Sequence, residues 1–390
     1  METIARGLEG VVLTETRLSH VDGERGELLI GGFPVEELAP HASFEEVLFL
    51  LWNGRLPSDE ESAALAQELT AARWMPERTA RLLRDAAATR TAPMDALRMG
   101  VASLPDPCPD EVGPEAQRRR AISLVARFPT LVAASWRAGK GLEPKAPQPD
   151  LGHVANYLYM LTGEEPAPAV VRALETYFNT VVDHGMNAST FTARVIASTG
   201  SDLVSALAGA VGALKGPLHG GAPGPALDTV FEIRERAARS GRPLAVEAEA
   251  RVREILAAGD RLMGFGHRVY KVRDPRAEVL GRAATDLFTP GGGDRALYDD
   301  AMEIEKVILR VLHEHKPGQR LETNVEFYTA LLLHGIGLEV DLFSPTFAAA
   351  RAGGWTAHVL EQLNENRLIR PASLFVGERR HWSNGEALTL

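Results

Sequence analysis

Apolar residues recur at three- and four-residue spacing through most of this 390-residue chain, and short breaks cut the pattern into helix-length pieces. The breaks fall at Leu56-Pro57-Ser58, from Pro105 to Pro114, from Glu143 to Asp150 and at Glu165-Pro166, where proline removes a backbone donor and fixes φ. Such a chain folds by burying one apolar stripe per helix against its neighbours. Val170, Leu174, Tyr177, Phe178 and Val181 share one such face, and Leu203, Leu207, Ala210, Val211 and Leu214 share another. Asp202 is suited to cap the second helix and Gly216-Pro217 to end it. The small residues Gly209, Ala210 and Gly212 would let another helix approach closely, as across a subunit interface. Residues 11 to 30 depart from the pattern: they alternate, and Asp22-Gly23 between their halves predicts a small β-hairpin. No second strand-rich region is expected. The fold class that follows is all-α with a small N-terminal β-hairpin, and the length exceeds what one core usually supports, which predicts two domains.

Alanine, leucine, arginine and glutamate fill the long stretches while aromatics reach only 6%, a mixture that favours helix over sheet. The net charge of -10 disfavours nucleic acid or an anionic membrane as a partner, so an anionic ligand has to find a local cationic pocket. A single cysteine, Cys108, rules out an intrachain disulfide framework and fits a reducing compartment. Met1-Glu2-Thr3-Ile4-Ala5-Arg6-Gly7 lacks the charged-then-apolar order of a signal peptide, and no apolar run is long enough to span a bilayer. A cytoplasmic protein is expected.

Three histidines fall just after a helix or in a glycine-bounded loop, where side chains can face a cleft: His184, His219 and His267. His219 lies in Gly216-Pro217-Leu218-His219-Gly220-Gly221, which reads either as a close-approach loop or as a plain helix-ending turn. Gly264-Phe265-Gly266-His267-Arg268-Val269-Tyr270 starts like a dinucleotide fingerprint but carries Val269 where the third glycine should stand, which rejects nucleotide hydride transfer. Asp274-Pro275-Arg276 places a capping aspartate and an N1 proline before an arginine, and a positive helix end with a guanidinium suits a carboxylate or phosphate; Arg276 on a solvated surface is the plain alternative. Asn324-Val325-Glu326 opens another helix, with Glu326 either a dipole complement or a base kept ionised by the helix terminus. Arg351 sits among small apolar residues in a helix beginning at Ser344-Pro345, and a charge buried there needs an anion. No histidine spacing argues for a metal; His313-Glu314-His315 reads as a solvated helix end.

Taken in order, these stretches resemble the citrate synthase family, in its bacterial dimeric citrate synthase and 2-methylcitrate synthase form. The resemblance begins at Gly7-Leu8-Glu9-Gly10-Val11-Val12 and continues through Asp183-His184-Gly185-Met186-Asn187-Ala188-Ser189-Thr190 and the His219 and His267 loops. It runs on through Asn324-Val325-Glu326-Phe327 and Arg351 to Arg367-Leu368-Ile369-Arg370-Pro371. It implies a large helical domain from residues 1–218 and 326–390, with a small helical domain, 219–325, inserted in it. It implies condensation of acetyl-CoA with oxaloacetate, then hydrolysis to citrate and CoA, in the tricarboxylic acid cycle. Glu326 would be the base, His219 the donor to the enolate oxygen and His267 the group polarising the ketone. His184, Arg276 and Arg351 would hold the oxaloacetate carboxylates, joined by Arg370 from the other subunit of a homodimer. Leu262, Met263, Gly264, Phe265 and Gly266 would cradle the adenine end of coenzyme A, and Lys271 would face its phosphates. The thioester is then a cosubstrate, with no tightly bound cofactor and no metal. The family usually has aspartate where this chain has Glu326, and moving a carboxylate by about 1 Å can cost about a hundredfold in rate. Two alternatives follow: 2-methylcitrate synthesis from propionyl-CoA, and a catalytically silent paralogue that binds coenzyme A or citrate.

Overall fold

In the structure, a computed structural model, residues 4–8, 10–220, 223–266, 269–288, 294–318, 321–383 and 386–389 are described. The N-terminal alternation forms β1 (Ser19–Asp22), β2 (Glu27–Ile30) and β3 (Phe33–Pro34), an antiparallel sheet in that order with Ser19 opposite Ile30 and Asp22 opposite Glu27. Its turn spans residues 23–26. Helices follow: α1 (Val35–Leu38), α2 (Phe44–Asn53), α3 (Asp59–Ala72), α4 (Glu77–Ala88), α5 (Pro93–Ala102), α6 (Pro114–Gly139), α7 (His153–Thr162) and α8 (Pro168–Val181). Beyond them come α9 (Ala188–Ser198), α10 (Leu203–Leu214), α11 (Pro223–Ser240), α12 (Leu244–Ala257), α13 (Pro275–Leu287), α14 (Arg295–His315), α15 (Val325–Gly335) and α16 (Phe343–Asn364).

A second antiparallel pair, β4 (Arg380–Ser383) with β5 (Glu386–Thr389), corrects the expectation of a single strand-bearing region. The sequence between the strands, Asn384-Gly385, is a dipeptide that favours two-residue hairpin turns; those two residues lie outside the described ones.

The expected breaks do become helix boundaries. Ser58 caps α3 in a reciprocal box with Glu61, and Ser43 does the same for α2 with Glu46, so each start satisfies its own orphan amides. Asp202 accepts from Ser205 N at the head of α10. The small-residue face of α10 is used within the chain: a Cβ on Gly209 would stand 2.3 Å from Ile196 Cδ1 of α9. Gly212, one turn further on, is exposed.

The core centres on α16, which packs on α2, α6, α8, α9 and α10. Ala348, Ala349, Ala350, Ala352 and Trp355 are fully buried, and the glycines of its middle turn admit backbone: a Cβ on Gly354 would lie 2.2 Å from Val182 O. That approach seats the end of α8, and the loop after it, directly on α16. Further along, α11, α12 and α14 pack on one another, while α11 and α13 both pack on α15. No helix of the described residues is long and apolar enough to cross a membrane, and among them no three His, Cys, Asp or Glu side chains converge as metal ligands.

Candidate active site

His184, His219, Arg276, Glu326, Arg351 and Arg370 all line one cavity of about 2270 Å³. They come from six different places in the chain: the loop after α8, the turn after α10, the heads of α13 and α15, the middle of α16 and the segment leaving it. His267, the seventh expected residue of the set, lies outside the described residues.

Arg351 defines the electrostatics. It is 2% exposed, donates from Nε to Val181 O at 2.5 Å and stacks over Phe347 at 4.6 Å. Among the described residues no carboxylate lies within ion-pair distance of it. Burial lowers its pKa to about 10, against the support of the Asp183 charge, so it stays cationic at neutral pH. A buried cation on a cavity wall, without a counter-ion of its own, is a site for an anion.

Arg276 is held differently. The Asp274 carboxylate caps α13 by accepting from Arg276 N at 3.0 Å, and also accepts from Arg276 Nε (3.0 Å) and Nη2 (2.8 Å). One buried carboxylate therefore both starts the helix and fixes the guanidinium that lines the cavity, which settles the surface alternative against Arg276.

Glu326, at the second position of α15, was expected to stay ionised because of the helix terminus. Burial outweighs that dipole and the pull of Arg276 and Arg351, and lifts its carboxyl to about 7. Its helix start is set by Asn324, whose side chain accepts from Glu326 N (2.9 Å) and donates to Gly266 O (2.7 Å).

His219 has the opposite shift: burial, aided by the Arg351 charge, lowers it to about 4, so its ring is neutral at pH 7. The Ser189 amide points at Nε2 from 3.3 Å, with Ser189 Oγ at 2.8 Å. An amide only donates, so Nε2 is the acceptor and the ring proton sits on Nδ1. Ser189 is itself fixed by Trp355 Nε1 of α16 at 3.1 Å.

A buried relay behind the cavity escaped the sequence reading. Arg194 Nε donates to His358 Nδ1 (3.1 Å), so His358 carries its proton on Nε2 and gives it to Asp183 (3.1 Å). Burial alone would raise the Asp183 carboxyl, but His358 and the Ser19 hydroxyl hold it below its ordinary value. Arg194 also pairs with Glu361, which accepts from Arg17 N. The one linear sign was His358 standing seven residues after Arg351, two turns along the same helix face.

None of Leu262, Met263, Gly264, Phe265, Gly266 and Lys271 lines this cavity. Gly264 O accepts from Asn324 N (3.0 Å) and Gly266 N donates to Glu322 O (2.8 Å), so this loop braces the head of α15. Lys271 is exposed.

The family model for citrate synthase, C-terminal domain, matches residues 7–372. The chain is 41% identical to citrate synthase 2 of Bacillus subtilis and 39% identical to citrate synthase of Haloferax volcanii, with 96% of each chain covered in both cases. It is 38% identical to 2-methylcitrate synthase of Mycobacterium tuberculosis, over 97% of this chain and 91% of that one. Among solved structures it is similar to citrate synthase from Pyrobaculum aerophilum, at 36% identity and a TM-score of 0.87 over 97% of this chain and 94% of that one. It is also similar to the citrate synthase of Thermoplasma acidophilum solved with carboxymethyl coenzyme A and oxaloacetate, at 27% identity and a TM-score of 0.86 over 98% and 99%. With a cavity built from those same stretches in the same order, and with matches that run nearly end to end, the chain belongs to the citrate synthase family.

Proposed function

We propose that this protein condenses acetyl-CoA with oxaloacetate and releases citrate and CoA. The observation that carries the proposal is that one cavity is lined by a carboxyl lifted to about 7, an imidazole lowered to about 4 and a buried arginine whose charge acts on both and which has no carboxylate partner among the described residues. A thioester methyl is a weak carbon acid, so its proton leaves only if a base takes it while a donor stabilises the enolate oxygen. Glu326 takes the proton. The Nδ1–H of neutral His219 bonds the oxygen. The new carbanion equivalent forms a carbon–carbon bond to the ketone carbon of oxaloacetate, whose oxygen gains the charge that His267 is assigned to meet. Water then cleaves the thioester, giving a carboxylate and the CoA thiol.

Arg276, Arg351 and His184 hold the oxaloacetate carboxylates, and multiple fixed donors orient the ketone for attack. In this reading a large domain, 1–218 with 326–390, and a small one, 219–325, would close over the cavity and exclude water. The Leu262 to Gly266 loop and Lys271 would meet coenzyme A on that closure. A homodimer belongs to the same reading: Val12, Phe375 and Val376 are 88%, 71% and 86% exposed, in two segments whose neighbouring residues Val11 and Pro371 line the cavity, and a second copy would cover them. Arg370 would then enter the partner's site.

The test is thiol release by the purified protein with each thioester, with and without oxaloacetate. Oxaloacetate-dependent release with a higher kcat/KM for acetyl-CoA is expected. A preference for propionyl-CoA would move the assignment to 2-methylcitrate synthesis, since one methylene is worth only about 1–3 kcal/mol in an apolar pocket. Oxaloacetate binding without release would mark a silent paralogue.

A further inference from the structure

Strand β1, with the turn after it, contacts two segments that carry cavity-lining residues, one with His184 and one with Val269. At its start Ser19 Oγ donates to Asp183 and accepts from Gly185 N (2.9 Å), fixing the loop that carries His184. At its end the 23–26 turn receives the segment that follows His267. Lys271 N donates to Gly23 O at 2.8 Å. There is no room for side chains between them: a Cβ on Gly23 would stand 2.2 Å from Val269 O, and one on Gly26 would stand 2.7 Å from Val272 Cγ2. The turn is stiff, because Asp22 Oδ1 accepts from the amides of Glu24 and Arg25, both at 3.0 Å, and Asp22 O accepts from Gly26 N at 2.9 Å.

Between these two anchors lies Tyr270. Its ring is 3% exposed, its hydroxyl is 3.1 Å from His184 Nε2, and the Arg276 guanidinium stands 5.7 Å from its ring centre. One buried side chain thus touches two groups assigned to the oxaloacetate carboxylates, and the glycine turn sets where that side chain stands.

We propose that Tyr270 is a positioning residue for the α-keto dicarboxylate: it orients His184 through its hydroxyl and backs Arg276 with its ring, at a height set by the Gly23–Gly26 turn. The proposal rests on the functional reading above. Its chemistry is simple. With Nε2 shared with the hydroxyl, the His184 ring cannot rotate without losing a hydrogen bond, so it is held toward the cavity in one orientation. The turn needs glycine for space. At Gly23 the backbone is ordinary, so an added methyl acts as a wedge against Val269 and not through backbone strain.

Tyr270→Phe keeps the packing and removes only the hydroxyl. It should raise KM for oxaloacetate about tenfold while KM for the acyl-CoA stays within about twofold. Gly23→Ala should raise KM for oxaloacetate too, and should speed hydrogen exchange at the Lys271 amide. Arg25→Ala, at a side chain 82% exposed on the same turn, should leave oxaloacetate kinetics as they are. A Tyr270→Phe enzyme with a lower melting temperature but an unchanged KM for oxaloacetate would reduce Tyr270 to a packing residue and overturn the proposal. If the wild-type protein releases no thiol, titration calorimetry with oxaloacetate decides. Weaker binding by Tyr270→Phe than by wild type upholds the positioning role although the synthase reading has failed. Equal binding, or none by the wild type, rejects it.

Discussion

Glu326 concentrates the competing effects at the residue scale. Its place in the first turn of α15 favours the charged carboxylate, two arginines favour it further, and burial still lifts the pKa to about 7. A base of that strength is half-ionised near neutrality, so kcat/KM for the thioester should rise about tenfold per pH unit below 7 and level off above it. A pH–rate profile checks this, and the limb should vanish in Glu326→Gln with the activity. Glu326→Gln should abolish condensation and spare oxaloacetate binding; unchanged turnover would reject the assigned base. The same shift makes a stability prediction. A carboxyl raised above its unfolded value of about 4.5 favours the native state below that pH and loses the benefit as pH rises through 7. Glu326→Gln should therefore be more stable than wild type at pH 8, by on the order of 3 kcal/mol, and equal to it at pH 4. Urea unfolding at the two pH values measures it.

At the scale of elements, α16 does more than fill the core. It carries Arg351 to the cavity, Trp355 to Ser189 and His358 to Asp183, on successive turns of one helix. Gly354 lets it do so. Alanine there gains up to about 1 kcal/mol of helix propensity, but its methyl would fall 2.2 Å from Val182 O and 3.1 Å from Asp183, and overpacking of that kind costs about 1–3 kcal/mol or more. The clash should win. Gly354→Ala should lower the denaturation midpoint and weaken oxaloacetate binding together, because the loop displaced is the one holding His184. Unaltered binding in a destabilised variant would separate the loop from the site.

At the scale of the whole molecule, the proposed dimer sets which subunit's Arg370 serves each cavity. In a dimer that exchanges this residue, Glu326→Gln and Arg370→Ala subunits should complement each other. In a mixed dimer one site combines both defects and the other has neither, so random pairing should restore about a quarter of wild-type activity. Arg370 acting in its own chain would restore none. Mixing the two inactive proteins, with exchange promoted by mild denaturant, distinguishes the cases.

Local order was readable from residues alone because its causes are local. Proline and glycine breaks, Asp202, Asp274 and Asn324 as caps, and the 3.6-residue stripes each act within one or two turns, so the helices, the first hairpin and the chemical types at His184, His219, Arg276, Glu326 and Arg351 could be read from neighbouring letters. The tertiary structure decided what depends on approach between distant segments. Burial placed the Glu326 carboxyl near 7 where its own helix pointed lower. Gly354 brought Val182 onto α16, and the relay from Asp183 through His358 to Arg194 joined residues more than 160 apart. Desolvation and steric fit are set by atoms from everywhere in the chain, and no window of sequence contains them.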